Sequence, residues 1–167
     1  MFTDGAKTNL DIPAMLSGGV MLKPIDKIMV SGGFHYYFDK DANWDGREEN
    51  LDRGLYEIAL GAEYQLIGPL EVSAGWLMTS TGAMEAYQTD QSYSLNTNTF
   101  GGGLGFKITE MIELNLAGSY TIYQEGVRNF QRELGGAGQS GIFNNLKETY
   151  NKNTWVVAVG LDIAIAR

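Results

Sequence analysis

Large apolar side chains recur at every second position in seven separate stretches of this sequence, each about ten residues long. Successive side chains of a pleated strand point to opposite sides, so two unlike parities mean a strand with two unlike faces. In the clearest stretch Tyr56, Ile58, Leu60, Ala62, Tyr64 and Leu66 alternate with Glu57, Ala59, Gly61, Glu63 and Gln65. Leu16, Val20 and Leu22 stand against Ser17, Gly19 and Lys23, and Val30, Phe34 and Tyr36 against Ser31, Gly33 and His35. The alternation predicts strands over about 13–23, 27–38, 54–66, 70–79, 98–108, 112–123 and 154–166. No helical periodicity of comparable length competes with it.

The chain has 167 residues, with 22 Gly against 3 Pro, a strand-and-turn balance that predicts one domain spanning 1–167. It has no apolar run of the length a spanning helix needs. Met1 to Ala6 lacks the basic and apolar regions of a secretion signal, so an export route would need a signal already removed or a longer parent chain. With no Cys, disulfides and thiolate chemistry are excluded. A net charge of −8 argues against nucleic acid as a partner, because phosphate binding needs clustered Lys and Arg.

Connections of two kinds alternate along the chain. Pro24-Ile25-Asp26, Gly68-Pro69 and Thr109-Glu110-Met111 read as tight turns, whereas Asp39 to Arg53, Ser80 to Asn98 and Tyr123 to Asn153 read as long loops. Short turns at one end and long loops at the other predict an all-β, antiparallel up-and-down transmembrane β-barrel of the outer-membrane type. Ten residues at about 3.4 Å, tilted by about 40°, project to about 26 Å, close to the apolar band of about 25 Å in such barrels. Aromatics at the loop-side strand ends, among them Tyr36, Tyr56, Trp76, Phe100, Tyr120 and Trp155, suit an interfacial belt. The competing fold is a soluble lipid-binding barrel with the large residues inside. Its water-facing parity would carry many charges, and here that parity is mostly Gly, Ser, Ala and Thr.

Leu10-Asp11-Ile12-Pro13-Ala14-Met15-Leu16-Ser17-Gly18-Gly19-Val20, followed by Lys23-Pro24-Ile25-Asp26-Lys27-Ile28, resembles the "LPA-x-LS-x-GV…P-x-DK-L" stretch of the FadL/TodX family of outer-membrane transporters of hydrophobic compounds. Leu60-Gly61-Ala62-Glu63-Tyr64 is similar to that family's "LGAEY" strand, and Gly103-Leu104-Gly105-Phe106-Lys107 with Ile112-Glu113-Leu114 to its next hairpin. The resemblance implies the C-terminal half of a fourteen-stranded barrel, seven strands with no plug domain. It also implies passage of long-chain fatty acids or other hydrophobic molecules. It transfers no substrate-contacting residue.

Three places stand out as candidate sites. Asp41, Asn43, Asp45 and Asp52 follow the oxygen-ligand spacing of a calcium loop, though strands instead of helices flank them and the twelfth position is Asp; the plainer reading is an acidic loop near lipopolysaccharide and its divalent ions. His35, the single histidine, shares the small-residue face with Tyr37, Glu57, Glu63 and Glu71, which become the candidate lumen-facing contacts. Ser17 and Ser31 share that face too, but no nucleophile motif surrounds them, so no enzyme is predicted. In the last loop Val127, Phe130, Leu134, Ile142, Phe143 and Leu146, around Gly135–Gly138, could dock hydrophobic molecules or fold locally as a flap.

The expectation is a bacterial outer-membrane channel for passive uptake of hydrophobic small molecules. Lipid and lipopolysaccharide would be its surroundings, and no cofactor is expected beyond a calcium ion in loop 41–52. The rivals are a structural or adhesive barrel without transport and the soluble lipid-binding barrel.

Overall fold

The computed structural model describes residues 5, 7–89, 92–133 and 143–165. Its strands are β1 (Met15–Ile25), β2 (Ile28–Tyr37), β3 (Tyr56–Ile67), β4 (Leu70–Ser80), β5 (Thr97–Lys107), β6 (Ile112–Tyr123), β7 (Gly126–Glu133), β8 (Phe143–Tyr150) and β9 (Asn153–Ile163). Seven of them form one sheet in the order β1-β2-β3-β4-β5-β6-β9, every neighbouring pair antiparallel. The remaining two, β7 and β8, pair only with each other. This hairpin lies where the sequence reads as a loop. Its strand Gly126–Glu133 is polar on both faces apart from Val127 and Phe130, so it lacks the two-sided contrast that marks the other seven.

The sheet is open, with β1 and β9 as its edges. An odd number of up-and-down strands sends both edges in the same direction. Direct pairing of β1 with β9 would therefore put a parallel seam into an otherwise antiparallel ladder.

Register aligns the large residues into rows that cross the sheet. Val20, Gly32, Leu60, Trp76, Phe100, Tyr120 and Trp155 are successive partners, and so are Ile28, Tyr64, Val72, Leu104, Leu116 and Val159. Within the seven strands no Asp, Glu, Lys or Arg falls on this parity; all the strand charges fall on the other. The large-residue face is uncovered: Leu60 is 55 %, Phe100 52 % and Trp155 75 % exposed.

Burial occurs elsewhere. The buried residues among those described are Ala42, Leu51, Gly54, Ser80, Gly82 and Gln88, all at the end of the sheet where the long connections lie. Those connections knit into one cap. Leu51 bridges to Ala83, Asp52 N donates to Gly82 O at 2.9 Å, and Met84 N donates to Asn50 O at 3.1 Å. Gly82 holds φ +66°, and a Cβ there would stand 2.2 Å from Arg53 O, so only glycine lets the two loops close on each other. The segment before β1 joins the same cap through Trp44 Nε1, which donates to Asp11 O at 2.7 Å.

Candidate functional site

The parity opposite the large residues carries a trough of about 380 Å³. Its lining includes Met29 and Ser31 of β2, Glu63 of β3, Ser73 of β4, Gly101 of β5, Ser119 of β6 and Ala158 of β9. Six strands spaced by about 4.8 Å would span about 24 Å if flat, so one small trough shared by all of them means the sheet curls with its small residues on the concave side. Local crowding follows from that curl. At Gly103 an added Cβ would approach Ser73 Oγ to 2.8 Å and Leu116 O to 3.2 Å, so glycine is what allows the concave wall to form there.

Register sets the chemistry of the concave face in layers. At mid-height Ser31, Gly61, Gly75, Gly101 and Ser119 are successive cross-strand partners, and beside them lie Met29, Glu63, Ser73, Gly103 and Ala117. Toward the cap the layers turn polar: Thr99 and Thr121 share a hydroxyl hydrogen bond of 2.8 Å, and beyond them come His35, Glu57 and Thr79. Toward the short turns lie Gln65, Glu71 and Asn115, and Asn115 Nδ2 donates to Asp162 Oδ2 at 2.6 Å. A zone of mostly small residues, with Glu63 its one charge, thus separates two polar ends.

The candidate residues named from sequence separate accordingly. His35 Nδ1 lies 3.3 Å from Glu57 Oε2, and Glu57 Oε1 accepts from Thr79 Oγ1 at 3.0 Å, so these three form one cross-strand ladder on the cap side of the trough. Tyr37 lies one layer further toward the cap, opposite Met15. Glu63 lines the trough itself, and Glu71 lies beyond it toward the turns, near Lys23 and Lys27. The structure does not place Ser17 or Ser31 within the hydrogen bonds of His35, whose partner is Glu57.

The proposed calcium ligands do not converge. Among the described residues no group of three or more His, Cys, Asp or Glu side chains could hold a metal ion. Asp45 Oδ2 and Oδ1 accept from Asn9 N and Nδ2 at 3.0 and 3.1 Å, and Asn43 Oδ1 accepts from Asp45 N at 3.2 Å. Asp52 is paired with Arg53 at 2.7 Å, and Asp41 ends a 3-10 turn at Asp39–Asp41. The spacing that reads as a cation loop instead ties the N-terminal segment to the cap.

In the last loop, Phe130 faces Leu146 across the β7–β8 hairpin, while Arg128 and Glu148 form an ion pair at 3.7 Å. The hairpin touches the rest of the cap through Glu85, whose Oε1 accepts from the Asn129 backbone, and through Tyr93, whose hydroxyl donates to Glu148 at 3.3 Å. Leu134, Gly135–Gly138 and Ile142 lie outside the described residues. Burial and the hydrogen bond to Glu148 push the Tyr150 phenol above the ordinary tyrosine range.

Sequence reasoning named Glu63 and put Ser31 on this face, but did not pick out Ser73, Ser119 and the glycines that make the trough. The signal was present as small residues on one parity of successive strands, and only the register brings them to the same height. No family model matches the chain, and no curated protein matches it. The likeness to FadL/TodX transporters therefore rests on the quoted residues alone.

Proposed function

We propose that the chain forms the wall of a transmembrane β-barrel in a bacterial outer membrane and lets small hydrophobic molecules cross passively, in the manner of the FadL/TodX transporters its motifs resemble. One observation carries this reading. The convex face of seven strands is large, apolar and free of charge, yet uncovered, while the residues that are buried sit in the cap. A single sheet with no second layer has no stable place in water, because its apolar face must be covered by something. Acyl chains meet that need at the right height, since strands of 10 to 12 residues are about what a tilted crossing requires. Inside, the trough offers a path lined mostly by small residues, with Glu63 its one charged side chain, between more polar ends. Selection by fit and diffusion is the mechanism, without energy coupling.

Tryptophan depth tests the reading. Trp76 and Trp155 lie on the convex parity and Trp44 lies in the cap. In vesicles of lipid brominated along the acyl chain, variants keeping only Trp76 or only Trp155 should be quenched and one keeping only Trp44 should not. A chain that stays monodisperse in plain buffer and shows no such contrast would end the proposal. Faster entry of a labelled apolar solute into vesicles containing the chain, with no change for a polar solute of similar size, separates transport from a scaffold role.

A further inference from the structure

The lining of the trough contains one charged side chain. Glu63 is partly buried among Met29, Ser73 and the small residues of the adjacent strands. No ion pair or hydrogen bond engages its carboxylate among the described residues. The next concave-face charges along β3 and β4 are Glu57 on the cap side and Glu71 on the turn side, both acidic. Glu63 also borders the smaller hollow toward the turns, with Lys23, Lys27, Asp26 and Glu71, so three acids meet two bases there and a net negative charge remains.

We infer that Glu63 makes the trough a charge filter, which admits neutral or cationic apolar molecules and turns away apolar molecules bearing a carboxylate or another anionic head. This rests on the reading of the chain as a membrane conduit and narrows its substrate class to uncharged or cationic compounds, leaving out the fatty acids that the likeness to FadL/TodX transporters implies. Small lining residues leave room for a chain or ring without specifying its shape. The unpartnered carboxylate is the element able to discriminate among them. An anion passing Ser73, the direct cross-strand partner of Glu63, comes within about 5 Å of it. At that separation, even with the screening of bulk water, rates for opposite unit charges differ by about tenfold.

Because the chain has no Cys, a single thiol can report on the trough. With Ser73→Cys in lipid vesicles, modification rates are measured for a cationic, a neutral and an anionic methanethiosulfonate, each divided by its rate with a free thiol. The cationic reagent should exceed the anionic by about tenfold. Adding Glu63→Gln should bring the ratio close to one, whereas Glu57→Gln, three layers nearer the cap, should leave most of it. Thr121→Cys, on the same face but toward the cap, gives a second reporter with a smaller ratio, should Ser73→Cys fail to fold. Ready modification with no preference for charge, or a preference that survives Glu63→Gln, overturns the filter and leaves the conduit standing. If neither thiol reacts with any of the three reagents in folded protein, both readings fail together.

Discussion

Placing a lysine at Leu60 or at its neighbour Ala59 should give opposite results, because consecutive residues of β3 face opposite sides. Leu60 lies on the convex parity between Gly32 and Trp76, four residues from the loop-side aromatic Tyr56. Four residues at about 3.4 Å, tilted by about 40°, put it about 10 Å inside the level of Tyr36 and Tyr56 and near the middle of a band of about 25 Å, so its row partner Trp76 lies deeper than the interfacial belt expected from sequence. A lysine at that depth costs roughly 2–3 kcal/mol, a factor of about 30 or more in the ratio of folded to unfolded chain. Ala59 lies between Gly33 and Leu77 on the concave parity. A lysine there can extend along the trough toward the acidic side chain of Glu57, with a cost of less than about 1 kcal/mol. Urea unfolding in phospholipid vesicles, followed by tryptophan emission, measures both. A Leu60→Lys midpoint equal to that of the unaltered chain, or an Ala59→Lys that is the more damaging of the two, would mean that the faces have been assigned the wrong way round.

Depth dependence gives a companion test: Ile163→Lys, at the turn-side limit of β9, should cost about 0–1 kcal/mol in the same assay, since charges near the interface are tolerated. Gly82→Ala should destabilise the cap by about 1–3 kcal/mol through its left-handed backbone and the Arg53 carbonyl, read as faster proteolysis of the loops with Trp155 quenching unchanged. The folded Tyr150 phenol titrates above its unfolded value, so its contribution to hairpin stability is complete below about pH 10 and is lost as pH rises further; Glu148→Gln should bring its ultraviolet titration back toward that of the other tyrosines. Removing calcium with a chelator should leave cap melting unchanged, because Asp45 and Asp52 already have Asn9 and Arg53 as partners.

Period-two contrast made the seven sheet strands legible, since each has one parity that is large and apolar and one that is small or polar. Glu57 and Glu63 could be put on the same face as His35 from parity alone. Their different roles could not, because pairing with His35 or isolation in the trough depends on register, and register is fixed between strands rather than within them. The hairpin β7–β8 escaped for a different reason. Outside the sheet its strands need no apolar face, so Arg128, Asn129 and Gln131 carry no pattern, and its stability comes from cross-strand pairs such as Arg128 with Glu148. The acidic loop shows the same limit, because ligand spacing along a chain says nothing about where carboxylates point. Asn9, distant in sequence, occupies both oxygens of Asp45.

The division of labour between cap and sheet is itself a physical argument about the surroundings. In the cap, loops bury Leu51 and Ala42, Gln88 both donates to and accepts from the backbone of Ser94, and the Arg47 guanidinium stacks on Tyr87. Those are the economies of a chain in water, where apolar groups hide and polar groups in the interior find partners. The sheet does the reverse on its convex side, presenting Leu104, Leu116 and Val159 and keeping every charge on the concave side. A sequence selected to fold against water alone would have no reason to keep charge off a face that water wets. The proposed membrane setting accounts for both patterns at once, with water around the loops and the concave wall and hydrocarbon around the convex wall. The uncharged convex parity is therefore the feature that ties the fold to its proposed place, and a charge tolerated at the centre of that parity would break the tie.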